Sequence, residues 1–143
     1  MAKISTTLEI NRPIDEVFEY LSNVDNAQEW STGLVEVTRD GPIRLGATGT
    51  DVRMMGRKRL ELPWTITVFE PHHRVLVEYT KPFPMSAGFT FEATEAGTQV
   101  SCETTMKPTG FWRLLVPLMA RMAANTDRAQ FEKAKQILEA RAV

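Results

Sequence analysis

The sequence predicts an α+β fold in which one antiparallel sheet packs against a long C-terminal helix. Apolar and polar residues alternate over residues 3–11 and again in six runs between Leu34 and Lys107, a pattern typical of strands with one buried face. Over residues 110–141 the apolar residues recur with a period of ~3.6, as in a helix. Helical patterning also follows the first strand, so the predicted order of elements is β-α-α-β6-α.

Length and composition are those of one globular domain. The chain has 143 residues, of which 43% are hydrophobic and 24% charged, so we expect a single domain over residues 1–143. Its 17 basic and 18 acidic side chains give a net charge of −1. Because no large positive field follows from this balance, a nucleic-acid partner is not expected.

The sequence also predicts a soluble, cytoplasmic protein. The first residues, MAKISTTLEI, lack the apolar segment of a secretory signal. The longest apolar run, 114–120, is far shorter than the ~20 residues with which a helix crosses a bilayer, so no stable membrane insertion is expected. Cys102 is the single cysteine, which excludes an intrachain disulfide and suits a reducing compartment.

The region after the first strand predicts two helices. Over residues 13–22 the apolar side chains recur at helical spacing, and Pro13 suits the first helical turn because its missing N–H needs no partner there. Asp25 is a candidate cap for a second, short helix that ends at Trp30. Trp30 has two interpretations: a hydrophobic plug that anchors the helix pair to the sheet, or a gate that touches a ligand.

The six central runs predict one antiparallel sheet. Turn residues separate them at short intervals, as in successive hairpins, and with the first strand they make seven strands. Pro63 interrupts one run, so we expect a bulge or an edge there. A sheet of this size curls, and the C-terminal helix is the one long element available to cover its concave face. The runs are LVEVTR, GTDVRMM, LELPWTITVFE, RVLVEYT, MSAGFTFEA and TQVSCETTM.

The long C-terminal helix carries two apolar stripes. The stripe of its first half, which includes Phe111, lies more than a quarter-turn from that of its second half, which includes Phe131. The two halves are therefore expected to contact different parts of the protein. Pro117 is expected to break or kink the helix.

The order and spacing of several segments resemble the START-like (SRPBCC) superfamily, and within it the bacterial polyketide cyclase/dehydrase and lipid-transport family. The resemblance covers residues 3–141 and lies in INRPIDEVFEYLS, NAQEW, GATGT, WTITVFEPHHRV and the long final helix. It implies a helix-grip fold, in which a curved seven-stranded antiparallel sheet wraps around the C-terminal helix. It also implies a cavity between them for a hydrophobic small molecule such as a lipid, sterol or polyketide. On the residues alone, a packed core explains the apolar faces equally well.

The resemblance implies a cavity whose mouth lies near Trp30, the turn 81–84 and the start of the last helix. We expect its wall to consist of Trp30, Trp64, Ile66, Tyr79, Met85, Phe89, Phe91, Cys102, Thr104, Leu118 and Met122.

Candidate catalytic groups are few. His72 and His73 lie in a Pro-initiated turn, where neighbouring side chains seldom converge on one metal, and Cys102 lies mid-strand among apolar residues, as a structural thiol does. We expect no metal and no cofactor. Tyr79 and Arg53 could polarise a carbonyl during a cyclisation if the fold brings them together.

Three functions remain open from the sequence. The first is a monomeric or homodimeric binding protein for a hydrophobic small molecule, used for transport, sequestration or sensing. The second is a polyketide cyclase or dehydratase that uses the same cavity. The third is an interaction protein with a vestigial pocket, in which the segment FWRLLVPLM docks on a partner or a membrane.

Overall fold

The computed structural model describes the backbone of residues 2–31, 34–55, 57–81 and 83–141. Within these ranges it describes all side chains except those of Ala2, Met55, Met119 and residues 122–127. The strands are β1 (Ala2–Ile10), β2 (Leu34–Asp40), β3 (Thr48–Met55), β4 (Lys58–Glu70), β5 (Arg74–Tyr79), β6 (Met85–Ala93) and β7 (Thr98–Met106). The helices are α1 (Ile14–Ser22), a 3₁₀ turn (Val24–Asn26), α2 (Ala27–Trp30) and α3 (Trp112–Ala140).

The seven strands form one antiparallel sheet in the order β1-β7-β6-β5-β4-β3-β2. Strands β2 to β7 are successive hairpins, and β1 pairs with β7 along its whole length, from Ala2 opposite Met106 to Ile10 opposite Thr98. The predicted α+β helix-grip architecture, a curved seven-stranded sheet with a long C-terminal helix, is confirmed. Strand periodicity and hairpin-length turns were sufficient for the antiparallel sheet because each strand but β1 pairs with its neighbour in sequence, whereas the helix-grip arrangement was implied by the family resemblance.

The helix pair after β1 begins differently from the sequence-based expectation. The prediction that Asp25 caps the second helix was wrong, because the side chain of Asn23 accepts the hydrogen bond from the Asp25 backbone N–H, at 3.0 Å. Asp25 instead forms an ion pair with Arg39 of β2, at 3.0 Å. The 3₁₀ turn thus begins two residues earlier than Asp25 would require, and α2 follows it directly.

Pro63 lies inside β4, at a position where the strand has a local edge. It is opposite Thr50 of β3, whereas the pairing of β4 with β5 begins only at Trp64. The register shift in this strand pair lies further along, between Ile66 and Val68. Of the two expected features, the edge coincides with the proline and the irregularity does not.

Helix α3 continues through Pro117, so the expected break does not occur. Its two halves contact different apolar clusters, as the shift of its stripe predicted. Phe131, Ala134 and Leu138 belong to the main core with α1, α2 and the sheet. Val116 packs in a second cluster with Ile4, Phe83 and Met106. Burial at both ends fixes the helix on the sheet even though the proline removes one internal hydrogen bond.

Candidate functional site

A cavity of about 160 Å³ lies between the sheet, α2 and the C-terminal half of α3. Its described wall is mainly apolar and comes from every strand except β1. The lining residues are Leu21, Ser22, Val24, Ala27, Trp30, Ser31, Leu34, Asp51, Arg53, Trp64, Ile66, Val75, Val77, Tyr79, Ala87, Phe89, Cys102, Thr104, Gln130 and Phe131.

A small polar group interrupts the apolar wall on β3 and β5. Asp51 and Arg53 are two residues apart on β3, so strand geometry places both on the cavity face. The Tyr79 hydroxyl donates a hydrogen bond to the Asp51 carboxyl group at 3.0 Å. Asp51 is only 6% exposed. The two side chains that sequence analysis considered for polarising a carbonyl, Tyr79 and Arg53, therefore line the same cavity.

Burial dominates the electrostatics of this group. Desolvation raises the pKa of Asp51 above its ordinary value of 3.8, although the Arg53 charge, the Tyr79 hydrogen bond and the Trp64 indole N–H act in the opposite direction. The Trp64 N–H lies outside hydrogen-bonding geometry, so its effect on the carboxyl is that of a nearby dipole. Burial, with the Asp51 charge second, also raises the pKa of Tyr79, which keeps the phenol protonated as a hydrogen-bond donor.

Gly49 positions the Trp64 indole in the wall. The two residues are directly opposite each other on β3 and β4. A Cβ at position 49 would approach Trp64 Cζ2 to 2.3 Å and the Thr38 carbonyl oxygen to 2.1 Å. Only glycine leaves room there for the indole ring. The segment GATGT therefore serves the packing of Trp64 as well as forming a turn.

Trp30 closes one side of the cavity from α2. Its ring lies 5.6 Å from Phe131 of α3 and 6.3 Å from Phe89 of β6, between ring centroids, and 9% of the residue is exposed. Beside it, the Ser31 hydroxyl lies 3.1 Å from the Gln130 side-chain oxygen. Trp30 is thus packed in the core and also lines the cavity.

Of the predicted wall, the structure brings seven residues together: Trp30, Trp64, Ile66, Tyr79, Phe89, Cys102 and Thr104. Three others lie elsewhere. Phe91 is buried under α1, 5.2 Å from Phe18 between ring centroids, and Met85 packs in the second apolar cluster. Leu118 is 62% exposed, because α3 presents that side of its first half to solvent. The Met122 side chain lies outside the described residues.

The expected mouth also differs from the structure. In the turn 81–84, Phe83 is buried at 2% exposure and packs against Trp112, 5.5 Å away. It therefore joins the sheet to the start of α3 and does not line the cavity. The wall residues that sequence reasoning missed include Gln130 and Phe131. Phe131 already lay on the second apolar stripe, whereas no sequence signal marked Gln130.

The histidines lie away from the cavity. His72 has a positive φ of 64° in the β4–β5 turn and contacts the edge of Phe18, at 5.5 Å between ring centroids. Among the described residues, no cluster of three or more His, Cys, Asp or Glu side chains has the geometry of a metal site. The basic residues Arg57, Lys58 and Arg59, in the turn after β3 and at the start of β4, are exposed. Arg59 forms an ion pair with Glu36 at 3.2 Å.

The comparisons with known proteins agree with this architecture. The sequence model of the family described as polyketide cyclase / dehydrase and lipid transport matches residues 1–142. The chain belongs to this family. The resemblance to the START-like superfamily is thereby confirmed, and membership supports hydrophobic ligand binding as the general class of function. No protein with a curated description matches the chain.

Several solved structures share the fold of this family member. TTHA0849 from Thermus thermophilus superposes with a TM-score of 0.82 at 11% identity, over 99% of this chain and 100% of that chain. The di-domain ARO/CYC StfQ from the steffimycin biosynthetic pathway gives 0.79 at 13% identity, over 98% of this chain and 51% of that chain. BexL, the di-domain ARO/CYC of the BE-7585A pathway, gives 0.72 at 18%, over 94% and 49%. The chain therefore spans about half of these two di-domain proteins.

The described part of the chain contains no helix long and apolar enough to cross a membrane.

Proposed function

We propose that the protein binds a small, mainly apolar molecule with one oxygen-bearing polar group, for transport, sequestration or sensing. The observation that carries this proposal is the apolar cavity of about 160 Å³ with Asp51, Arg53 and Tyr79 in its wall. Apolar contacts would supply most of the affinity and the polar group would orient the ligand. Trp30 adds a donor, because its buried Nε1 has no acceptor among the described residues and a ligand oxygen could satisfy it.

The cavity volume narrows the ligand class. An engineered protein cavity of ~150 Å³ holds a benzene molecule, so about 160 Å³ suits a single substituted ring or a short branched chain. The fused rings of a sterol exceed this volume in the described conformation. Within the expected set of lipids, sterols and polyketides, we therefore favour a small aromatic or cyclised ketide.

Native mass spectrometry of the purified protein tests the binding proposal. We expect a bound molecule of about one-ring size, and small aryl ketones and phenols should change the tryptophan fluorescence, since Trp30 and Trp64 line the cavity. A reproducibly empty protein that binds none of these compounds would contradict the proposal.

A cavity-filling pair of variants provides the matched control. Ala87 lines the cavity on β6, whereas Ala93 at the end of the same strand is exposed. Ala87→Leu should weaken ligand binding at least ~10-fold because the added methyl groups occupy ligand volume, and Ala93→Leu should leave it unchanged. Equal affinities for the two variants would place the ligand outside this cavity.

A second candidate is an enzyme of the cyclase or dehydratase type, and the Asp51–Tyr79 pair favours it. A carboxyl group whose pKa is raised by burial in a mainly apolar cavity is a candidate for proton transfer. In a dehydration, the Asp51 carboxylate would take the proton from the carbon next to a ligand carbonyl. The same proton would then pass to the departing β-hydroxyl group, which leaves as water. Arg53 would stabilise the enolate oxygen, and Tyr79, whose single O–H donates to Asp51, would hold the carboxyl group in position.

An assay with a short aromatic β-hydroxyketone distinguishes the enzyme hypothesis from the binding-protein hypothesis. Turnover is detected by mass spectrometry as the loss of one water molecule from the compound. In an enzyme, Asp51→Asn and Tyr79→Phe should reduce turnover by at least ~100-fold while binding persists. Tyr20→Phe is the control, because Tyr20 also hydrogen-bonds a carboxylate, Glu29 at 2.9 Å, but does not belong to the described cavity wall. A ligand that binds and is recovered unchanged would exclude this candidate for that compound class.

A further inference from the structure

The first turns of α3 expose a continuous apolar surface. Phe111 and Leu118 are each 62% exposed, Leu114 is 83% exposed and Leu115 is 42% exposed. We call these four residues the α3 apolar face. None of them belongs to the described wall of the cavity, so the face is independent of the proposed ligand site. Exposed leucines and phenylalanines grouped on one helix face are typical of a surface that contacts another protein or a membrane.

The leucines of this face lie on the side of α3 away from the sheet, whereas Phe111, the residue before α3, stacks on Trp112 at 4.9 Å between ring centroids. At ~100° per residue, the members of the face occupy an arc of about 100° around α3. The buried Val116, at 1% exposure, and the half-buried Trp112 point to the other side of the helix, where they pack in the second apolar cluster. The helix is therefore anchored by one side and presents leucines on the other.

The charges around the face are of one sign. Residues 104–126 contain no Asp or Glu, whereas they contain Lys107, Arg113 and Arg121. Lys107 and Arg113 line a surface groove that also includes the buried Val116, on the side of the helix that meets the sheet. At ~100° per residue, the exposed Arg121 lies beside Leu114 at the edge of the apolar arc. The rest of the chain has 14 basic and 18 acidic side chains and is therefore net negative. The concentration of cations here is thus local.

We propose that the α3 apolar face docks on the surface of an anionic lipid bilayer, with the helix lying in the plane of the interface. A helix with Leu and Phe on one side and cations beside it has the properties of an interfacial helix. The leucines enter the boundary between headgroups and acyl chains, and Arg121 at the edge of the arc contacts lipid phosphates. Arg113 and Lys107 add to the local positive charge, which an anionic surface attracts. A flank without carboxylates favours this occupant over a protein with a mixed rim of charges.

Vesicle co-sedimentation of the full chain tests the proposal. We expect binding to phosphatidylcholine vesicles with about 30% phosphatidylglycerol and at least ~10-fold weaker binding to phosphatidylcholine alone, with binding to the anionic vesicles falling as salt rises. The double variant Leu114→Glu/Leu118→Glu should lose at least ~10-fold in binding. Leu45→Glu is the matched control, because Leu45 is equally exposed at 62% on the β2–β3 connection, and it should bind as the unmodified chain does. Circular dichroism checks that each variant is folded.

Two further variants separate the contribution of the cations to membrane docking from that of the ligand cavity. Arg113→Gln/Arg121→Gln should remove most of the preference for phosphatidylglycerol. Ala87→Leu, which fills the cavity, should bind vesicles normally, so failure of ligand binding and failure of membrane docking are distinguishable. Absence of binding to either vesicle, or equal binding by the Leu114→Glu/Leu118→Glu variant, would overturn the proposal. A dimer in light scattering that this variant dissociates, without vesicle binding, would assign the face to a second copy of the chain.

Discussion

Asp51 is an ionisable side chain in a buried position, a combination that a packed core does not require. It is 6% exposed, yet it has the Tyr79 hydroxyl at 3.0 Å as a donor and the charge of Arg53 nearby. Replacing such a group by an apolar side chain often stabilises a protein. Its presence in the cavity wall is therefore better explained by contact with a ligand than by stability.

The raised pKa of Asp51 predicts a specific pH dependence of stability. Because burial disfavours the carboxylate, the folded state holds this proton to higher pH than the unfolded chain. The free energy of unfolding therefore falls as pH rises from the ordinary Asp pKa of 3.8 through the raised folded pKa, and the loss persists above it. Asp51→Asn removes this cost. Its melting temperature should match that of the unmodified protein at about pH 4, exceed it increasingly as pH rises through the raised folded pKa, and keep that excess above it. A difference that does not change with pH would show that the carboxyl group is not desolvated.

Trp30→Ala tests how much of this ring serves stability. The ring packs on Phe131 and Phe89, so we expect a loss of ~3–5 kcal/mol in the free energy of unfolding, measured by urea denaturation. Phe111→Ala, at a residue 62% exposed, should cost less than ~0.5 kcal/mol. A loss below ~1 kcal/mol at Trp30, together with faster ligand uptake, would identify the ring as a gate alone.

At the scale of elements, α3 tolerates a proline that costs it stability. Pro117 lies several residues inside the helix and is exposed, so it removes a backbone hydrogen bond without contributing to the core. Pro117→Ala should raise the free energy of unfolding by up to ~3 kcal/mol, measured by chemical denaturation. A decrease would indicate that the proline ring packs against the groove formed with Pro84 and Lys107.

The helices and strands were predictable from the sequence because periodicity is a local property. The orientation of α3 was not predictable, because it is not a local property. Phe89 and Cys102 line the described cavity, and strand alternation fixes the face of each. Leu118 was misplaced because the side of a helix that meets the sheet depends on the packing of the whole chain. Nothing local in NVDN distinguishes Asn23 from Asp25 as the cap, since both side chains can accept the same kind of hydrogen bond.

The same reasoning explains why the polar group of the site was only partly predicted. Alternation placed Tyr79 on the cavity face, but whether Asp51 meets it depends on β3 and β5 lying on either side of β4 with a particular register. That register includes the shift between Ile66 and Val68. Such a shift moves side chains relative to the neighbouring strand, and it leaves no signal in the alternation of a single strand.

At the scale of the whole molecule, the ends of the chain belong to one structure. Strand β1 completes the sheet beside β7, and the backbone N–H of Asn11 donates to Glu139 near the end of α3, at 2.9 Å. The main core includes residues from both ends, such as Ile10 and Leu138. Both ends of the described chain thus contribute to one core.

This connectivity predicts a single cooperative unfolding transition. Tryptophan fluorescence and far-ultraviolet circular dichroism should give coincident urea curves, as in two-state domains. Refolding should take milliseconds to seconds because the β1–β7 pairing joins residues distant in sequence. Separate transitions for the two probes would show that the first half of α3 melts independently, and the single-domain prediction would then fail.

Cys102 is the only thiol of the chain and lies in the cavity wall at 7% exposure. The protein therefore carries a natural reporter of how often its interior becomes accessible. A thiol reagent reaches the sulfur only during opening of the surrounding structure, so the labelling rate of the unmodified protein gives the frequency of that opening. A molecule that occupies the cavity should slow the reaction, and one that binds only the outer surface should not. A ligand of unknown structure can thus be sought in a mixture of compounds by the protection of a single sulfur atom.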